Sequence, residues 1–369
     1  MKLNIPENIK MIQPYPPGKP LDELEREYGI RDSIKLASNE NAWGASPEAM
    51  KAIGKGLEGL HRYPDGSCFY LVRALAERLK LQPEEIVIGN GSNEVIEFLV
   101  KAFVREGDEV ITSHPSFLMY QKFVQVRGGI NHVVGLEDMR HNLAAILGRI
   151  TKKTRLIFLD NPNNPTGTFL APERFVEFID QLPESVILVV DEAYVEYMHR
   201  DLRLPLDLIQ PVDGRCGVVF LRTFSKAYGL SGLRVGYGLM AEEIANCLHK
   251  VRQPFNVNLL AQVAAVAALH DEAFYRQTLE KTAASLAFLQ EEIGRLGCRC
   301  YPTETNFFLV DVGGNADTLY QALLCQGVIV RSMSAYGFSD FIRITAGTEP
   351  ENLRLLEALK KSLDELGYV

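Results

Sequence analysis

The chain has 369 residues, room for two or three domains and a sizeable core. It carries 39 Lys+Arg against 47 Asp+Glu, a net charge of -8, and its 23% charged and 47% hydrophobic residues are a globular rather than a disordered mixture. These values exclude a lone small module and make nucleic acid or an anionic membrane surface a poor electrostatic match.

The N-terminus MKLNIPENIKMIQPYPPGKP has no apolar signal segment, and no uncharged apolar run reaches the ~18 residues that span a bilayer, so a cytoplasmic protein is expected. Cys68, Cys216, Cys247, Cys298, Cys300 and Cys325 are scattered without a CxxC pair, and the seven histidines show no HExxH spacing. Free thiols and no metal are expected.

In chain order, residues 1–36 include the Pro-rich PYPPGKP, which cannot hold a regular element; they read as an arm packed on the small domain or on a partner subunit. From 37 to 253, the β-branched runs EIVIG, DEVITS, RLIFLD, SVILVVD and GVVFLRT alternate with stretches of helical period such as NEVIEFLVKAFVRE and APERFVEFIDQL. That alternation predicts a large α/β domain with a mostly parallel sheet flanked by helices. Near Pro254 the texture changes to a long helix, broken once, followed by short strands at CRCYP, NFFLVDV, GVIVR and FIRIT. Residues 254–369 therefore read as a smaller α+β domain.

Ligands of open α/β sheets sit beyond the carboxyl ends of the strands, so the residues after each apolar run are the candidates. After EIVIG, Gly91-Ser92-Asn93 opens a helix whose N–H groups can hold a phosphate; Ser92 or Asn93 as a plain helix cap is the alternative. After DEVIT, Phe117 can stack on a flat ligand or be ordinary core, and His114 reads as structural. After RLIFLD, NPNNPTGT forms a rigid turn that either aims the Asn164 amide at a ligand or is simply a turn.

After SVILVV comes Asp191, a carboxylate at a buried strand end that calls for a cation. That cation is an internal arginine or the protonated nitrogen of a pyridine ring, with the Tyr194 phenol reaching a second polar atom of the ring. After GVVFLR, Lys226 sits among Thr223, Ser225 and glycines with Arg234 eight residues on. Most lysines are solvated surface charges, but this one lies past a buried strand beside groups suited to a phosphate dianion, and a lysine near other cations forms imines with carbonyls. Taken together the residues ask for an aldehyde at Lys226, a ring nitrogen at Asp191, a ring hydroxyl at Asn164 and Tyr194, and a phosphate at Ser92, Asn93, Thr223, Ser225 and Arg234. Pyridoxal 5'-phosphate has all four, and its ring is an electron sink for a carbanion at the substrate Cα. Lys226, displaced by substrate, is then placed to move the proton as base and acid.

With these motifs quoted, the ordered set QPYPPGKP, LASNEN, RYPD, GNGSNE, NPNNPTG, VVDEAY, LRTFSKAYGLSGLRVGY, TNFFLV, GVIVR and FIRITAGT resembles the fold-type I pyridoxal-phosphate aminotransferases, and within them the branch acting on histidinol phosphate. The resemblance implies a large domain with a seven-stranded-type sheet, a small C-terminal domain, and a homodimer with active sites at the subunit interface. It makes Lys226, Asp191 and Tyr194 the catalytic residues and adds Tyr63, reaching the cofactor phosphate from the neighbouring subunit. It also gives Arg343 as the clamp on a substrate carboxylate, Arg331 and Tyr15 as contacts to a substrate phosphate, and Asn39 as part of the pocket. Read from the residues alone, Arg331 could equally be a strand-end surface charge. The chain departs from the family in Asn39-Glu40-Asn41-Ala42-Trp43-Gly44, where NENPYG is common, and in Phe117, where a tyrosine is common.

The implied reaction is transamination of histidinol phosphate with 2-oxoglutarate, giving imidazole acetol phosphate and glutamate, in histidine biosynthesis. Within the same fold the alternatives are an aromatic amino acid aminotransferase and a threonine-phosphate decarboxylase. A non-catalytic pyridoxal-phosphate regulator is disfavoured because no basic helical module is left over. A dinucleotide-binding dehydrogenase is set aside because GNGSN lacks the GxGxxG spacing.

Overall fold

The computed structural model describes residues 3–14 and 19–368. Its strands in chain order are β1 (Ile34–Lys35), β2 (Ile86–Gly89), β3 (Glu109–His114), β4 (Ile130–Glu137), β5 (Arg140–His141), β6 (Thr154–Asp160), β7 (Ile187–Asp191), β8 (Gly217–Thr223), β9 (Gly236–Leu239), β10 (Arg299–Cys300), β11 (Phe307–Asp311), β12 (Val328–Ile329), β13 (Arg331–Ser332) and β14 (Phe341–Thr345). The large sheet runs β2-β9-β8-β7-β6-β3-β4-β5. Neighbours from β8 to β4 are parallel, and β9 and β5 run against the strands they pair with. The two-residue β5 makes an eighth member of a sheet expected to have seven.

The continuous apolar runs follow from burial on both faces. Leu188 and Val190 of β7 and Phe220 of β8 join one helix-covered core with Leu75 and Phe175. The alternate residues Val189, Val219 and Leu221 join a second core on the opposite face with Leu99 and Leu248. A strand with period 2 and a helix layer on each side leaves no position for a polar residue until the strand ends. The chemistry-bearing side chains are therefore pushed to the strand termini.

The small sheet, β10-β11-β14-β13, is antiparallel and packs Phe308, Val310, Ile342 and Ile344 against the helices Glu272–Arg295, Ala316–Leu324 and Glu349–Leu366. The long helix is broken at Asp271, whose side chain caps the second half by accepting the Phe274 N–H at 3.2 Å. The first half, Leu259–His270, buries Ala261, Ala264, Ala265 and Leu269 in the large-sheet core, whereas the second half supplies Leu286, Leu289 and Ile293 to the small-sheet core. The change of core thus falls inside Glu272–Arg295 rather than at Pro254, where only the switch from alternating elements to helix is visible.

In the arm, helices Glu7–Lys10 and Leu21–Tyr28 stand on either side of the Pro-rich stretch. The second begins just after Pro20, with Asp22 and Glu23 in its first turn and Arg26 in its last, an order that matches the helix dipole. Its Leu24 is buried with Leu324 and Ile329, and β1 pairs in parallel with β12, so this part does pack beside the small sheet. Asn8, in contrast, donates to the Gln125 and Val126 carbonyls of the helix Met119–Val126, on the large-sheet side. Tyr15 lies outside the described residues.

Candidate active site

A cavity of about 280 Å³ opens at the carboxyl ends of β6, β7 and β8 and is closed by β13 and β14. Among the described residues, every candidate lines it except Tyr63, which is 83% exposed and stacked on Phe255.

At one end the helix Ser92–Phe103 points its N-terminus into the cavity. Gly91 has φ +79°, and a Cβ there would stand 2.5 Å from Arg234 Nη2; a Cβ on Gly236 of β9 would stand 2.3 Å from the Ser92 nitrogen. Both glycines let backbone and guanidinium come together. Thr223 Oγ1 accepts from the Ser225 N–H at 3.1 Å and donates to Ser225 Oγ at 3.0 Å, and Arg234 Nη1 reaches the same Oγ at 3.3 Å. Asn93 Oδ1 is buried without a hydrogen-bond partner. Hydroxyls, a guanidinium and helix N–H groups around one end are the donor set of a phosphate dianion.

The floor is acidic. Asp160 and Asp191 end β6 and β7 side by side in register. Asp160 is satisfied by Asn163 Nδ2 and by the Asn164 N–H, each at 2.9 Å, with buried His141 Nε2 3.2 Å away. The Asn163 and Asn164 of the NPNNPTG turn are therefore held by a carboxylate, and Asn164 faces the cavity. Asp191 accepts from the Tyr120 hydroxyl at 2.8 Å and from the Ala193 N–H at 3.1 Å. Burial pushes its carboxyl up to about 7, opposed by the Tyr120 hydrogen bond. The internal arginine that could have answered Asp191 is engaged elsewhere: Arg222 pairs with buried Glu192 through Nε at 2.8 Å and Nη2 at 2.7 Å. Asp191 thus has neutral donors in a place that favours a cation.

The other walls are cationic. Lys226 donates to the Ser38 carbonyl at 3.1 Å and lies 5.7 Å over the Tyr194 ring. Burial, and then the Arg343 guanidinium, pull its amine down to about 8. The Tyr194 hydroxyl accepts from Asn39 Nδ2 at 2.8 Å, and burial raises its ionisation above the ordinary phenol range. Asn39 takes φ +55°, and Thr345 Oγ1 holds it by accepting its N–H at 3.0 Å and donating to its Oδ1 at 3.1 Å. Arg343 is buried, donates to the Ala37 carbonyl at 2.8 Å and to Asn164 Oδ1, and packs 5.0 Å from Phe307. Arg331 and Arg343 are direct cross-strand partners on β13 and β14, and both line the cavity.

The groups present fit pyridoxal 5'-phosphate on the structure's own terms: an amine of lowered basicity, an anion awaiting a cation, an amide and a phenol between them, and a phosphate cup of hydroxyls, a guanidinium and helix N–H groups. Reading the sequence missed Asp160, Tyr120 and Tyr336 as cavity residues. Asp160 ends an apolar run in the same way as Asp191, so the strand-end rule could have found it. Tyr120, inside a helix, carries no such signal. Tyr336 stacks on His114 with ring centroids 6.4 Å apart.

The model of the aminotransferase class I and II family matches residues 31–359. The histidinol-phosphate aminotransferase of Desulfotalea psychrophila is 65% identical over 370 residues, covering 100% of this chain and 98% of that protein. That of Moorella thermoacetica is 44% identical over 357 residues, covering 97% and 92%. Among solved structures, histidinol-phosphate aminotransferase from Sinorhizobium meliloti in complex with pyridoxal-5'-phosphate superposes with a TM-score of 0.91 at 30% identity, covering 99% of each chain.

Proposed function

The chain belongs to the aminotransferase class I and II family, and from that premise we propose that it transfers the amino group reversibly between L-histidinol phosphate and 2-oxoglutarate, a step of histidine biosynthesis. The products are imidazole acetol phosphate and glutamate. The observation that carries the substrate class is the pair Arg331 and Arg343, opposite one another on antiparallel strands and open to the same cavity as Lys226. Like charges placed directly opposite destabilise a sheet unless an anion joins them. Histidinol phosphate carries its phosphate on the carbon next to Cα, where an amino acid carries its carboxylate. Arg343 clamps the carboxylate of glutamate in a planar fork, and Arg331 adds the second guanidinium that a phosphate dianion requires.

The cofactor is pyridoxal 5'-phosphate, which when bound supplies an aldehyde that takes the amino group and a ring that withdraws electrons from the substrate Cα. Lys226 would hold its aldehyde carbon, Asp191 its ring nitrogen, Asn164 and Tyr194 its ring hydroxyl, and Phe117 one face. Ser92, Asn93, Thr223, Ser225 and Arg234 would hold its phosphate. Lys226, with an amine that loses its proton near pH 8, takes the proton from Cα and returns it. Asn39 fixes the Tyr194 phenol, and Tyr194 lies under the lysine amine, so the base is aimed from below.

We assign a homodimer in which the exposed Tyr63 enters the neighbouring site. It is supported by the apolar side chains exposed along the same stretch, Met50, Leu57, Leu60, Phe69 and Phe255, a patch that a second copy would cover. We divide the chain into the arm to residue 36, a large domain, and a small domain whose core begins within the helix Glu272–Arg295. A cytoplasmic location accords with six free cysteines.

The test is kcat/KM of the holoenzyme for L-histidinol phosphate beside phenylalanine and tyrosine, each with 2-oxoglutarate. A preference of about a hundredfold or more, ~2.7 kcal/mol at the transition state, is expected for the phosphorylated donor. Comparable values would make the protein a broad aromatic aminotransferase, and release of carbon dioxide from phosphothreonine with no transamination would make it a decarboxylase.

A further inference from the structure

Tyr120 stands in the first turn of the helix Met119–Val126, is fully buried, and yet lines the cavity. Its ring is held on two sides. It stacks on Phe158 of β6 with centroids 4.9 Å apart and planes at 8°, and it meets the Phe117 ring edge-on at 5.5 Å and 81°. Its hydroxyl donates to Asp191 Oδ2 at 2.8 Å. We propose that Tyr120 is the positioning residue that fixes the two groups bracketing the cofactor ring, Asp191 at its nitrogen edge and Phe117 at its face. This rests on the reading of the cavity as a pyridoxal-phosphate site.

Titratable groups surround the Asp191 carboxylate. Asp160 lies beside it in register, Glu192 follows it in the chain, and the Tyr194 phenol and the Lys226 amine face it from the adjoining loops. The two carboxylates and the burial all favour the neutral acid, whereas the Tyr120 O–H and the Ala193 N–H stabilise the anion. Only the anion can keep a proton on a pyridine nitrogen, and that proton makes the ring a strong electron sink. Removing one of two donors from a buried carboxylate moves the balance toward the neutral form.

The same ring also sets Phe117. A stacking side chain works only if its plane is fixed, and here the Tyr120 ring meets it edge-on while Phe158 fixes the Tyr120 ring in turn. One side chain therefore sets both an electrostatic and a steric contact, and it does so from behind the site, without a place in the motifs that follow the strands.

The experiment is Tyr120→Phe, which removes one oxygen and keeps both ring contacts, reconstituted with pyridoxal 5'-phosphate labelled with 15N in the ring. Wild-type protein should show the resonance of a protonated nitrogen. The variant should show it displaced toward the unprotonated position, lose cofactor on dialysis at least about tenfold faster, and fall in kcat with little change in KM. Tyr120→Leu, which also removes the edge beneath Phe117, should weaken the visible circular dichroism of the bound cofactor beyond the Phe variant. An unchanged 15N resonance and a loss rate within twofold of wild type, accompanied only by a lower melting temperature, would reduce Tyr120 to core packing and overturn the inference. Equal dichroism in the two variants would remove its Phe117 half. Wild-type protein that takes up no pyridoxal phosphate would instead overturn the functional reading, and this inference with it.

Discussion

The floor and the rim of the cavity solve opposite electrostatic problems. On the floor, Asp160 and Asp191 are buried and provided with hydrogen-bond donors from the protein itself: Asn163, Asn164 and His141 for one, Tyr120 and Ala193 for the other. On the rim, Lys226 and Arg234 rest on neutral acceptors, the carbonyls of Ser38 and Ser231, and Arg343 donates to the Ala37 carbonyl and to Asn164 Oδ1. A buried carboxylate costs free energy unless donors surround it, and here its geometry is complete before any ligand arrives. A cation leaning on a carbonyl has a weaker partner than an anion would be, so the rim is where ligand charge is answered. The floor orients a ring; the rim selects anions.

The largest expected effect comes from the rim residue nearest the floor. Lys226→Ala should abolish both the visible absorbance of the bound cofactor and turnover, by more than ~10⁴-fold, because it removes the covalent anchor and the proton carrier together. Absorbance titration and single-turnover assays check this, and retained transamination would refute its role.

Next come the two arginines, which separate carboxylate from phosphate recognition. Arg343→Lys should lower kcat/KM for every substrate by about a hundredfold, since a point charge cannot replace the fork of a buried guanidinium that also bonds Ala37 and Asn164. Arg331→Ala should cost the phosphorylated donor more than about tenfold, ~1.4 kcal/mol, and leave non-phosphorylated donors nearly unchanged. If both donors lose equally from Arg331→Ala, the division of labour on the rim is wrong.

The two regions also differ in how far they could be read from the sequence. The floor and the phosphate cup lie at the ends of strands in the two-sided core, where polar residues gather, so Asp191, Asn164, Lys226 and Ser92 stand out by position. The rim strands β13 and β14 have two and five residues. Nothing in GVIVR or FIRIT says that Arg331 and Arg343 are cross-strand neighbours, because that register is set by pairing between distant segments. Three strands of the large sheet, β4, β5 and β9, were not read at all. β4, near the sheet edge, has Val134 as its one buried residue, so it shows no apolar run, and β9, GYGL, lacks side chains where the Ser92 backbone comes close. Tyr120 was hidden for a different reason: its spacing within an amphipathic helix is that of any core aromatic, and only the fold turns its hydroxyl toward Asp191.

A further test, of stability rather than rate, asks whether the floor is as sealed as described. In the protein without cofactor, burial raises the Asp191 carboxyl to about 7, whereas an unfolded aspartate titrates near ~3.9. Between about pH 4 and pH 7 the folded chain keeps a proton that the unfolded chain has released, so the contribution of this group falls as pH rises and the penalty is complete above about pH 7. Asp191→Asn removes the charge and leaves an oxygen for the Tyr120 hydroxyl. The apoprotein variant should therefore be more stable than wild type at pH 8, by up to about 4 kcal/mol, and the gain should vanish as pH approaches 4. Calorimetric melts of both apoproteins across that range measure it. With cofactor bound the order should reverse, because the carboxylate then has a cation to hold and the amide does not. A variant apoprotein no more stable than wild type at pH 8 would mean that water reaches Asp191, and the floor would then need its ligand for the same reason the rim does.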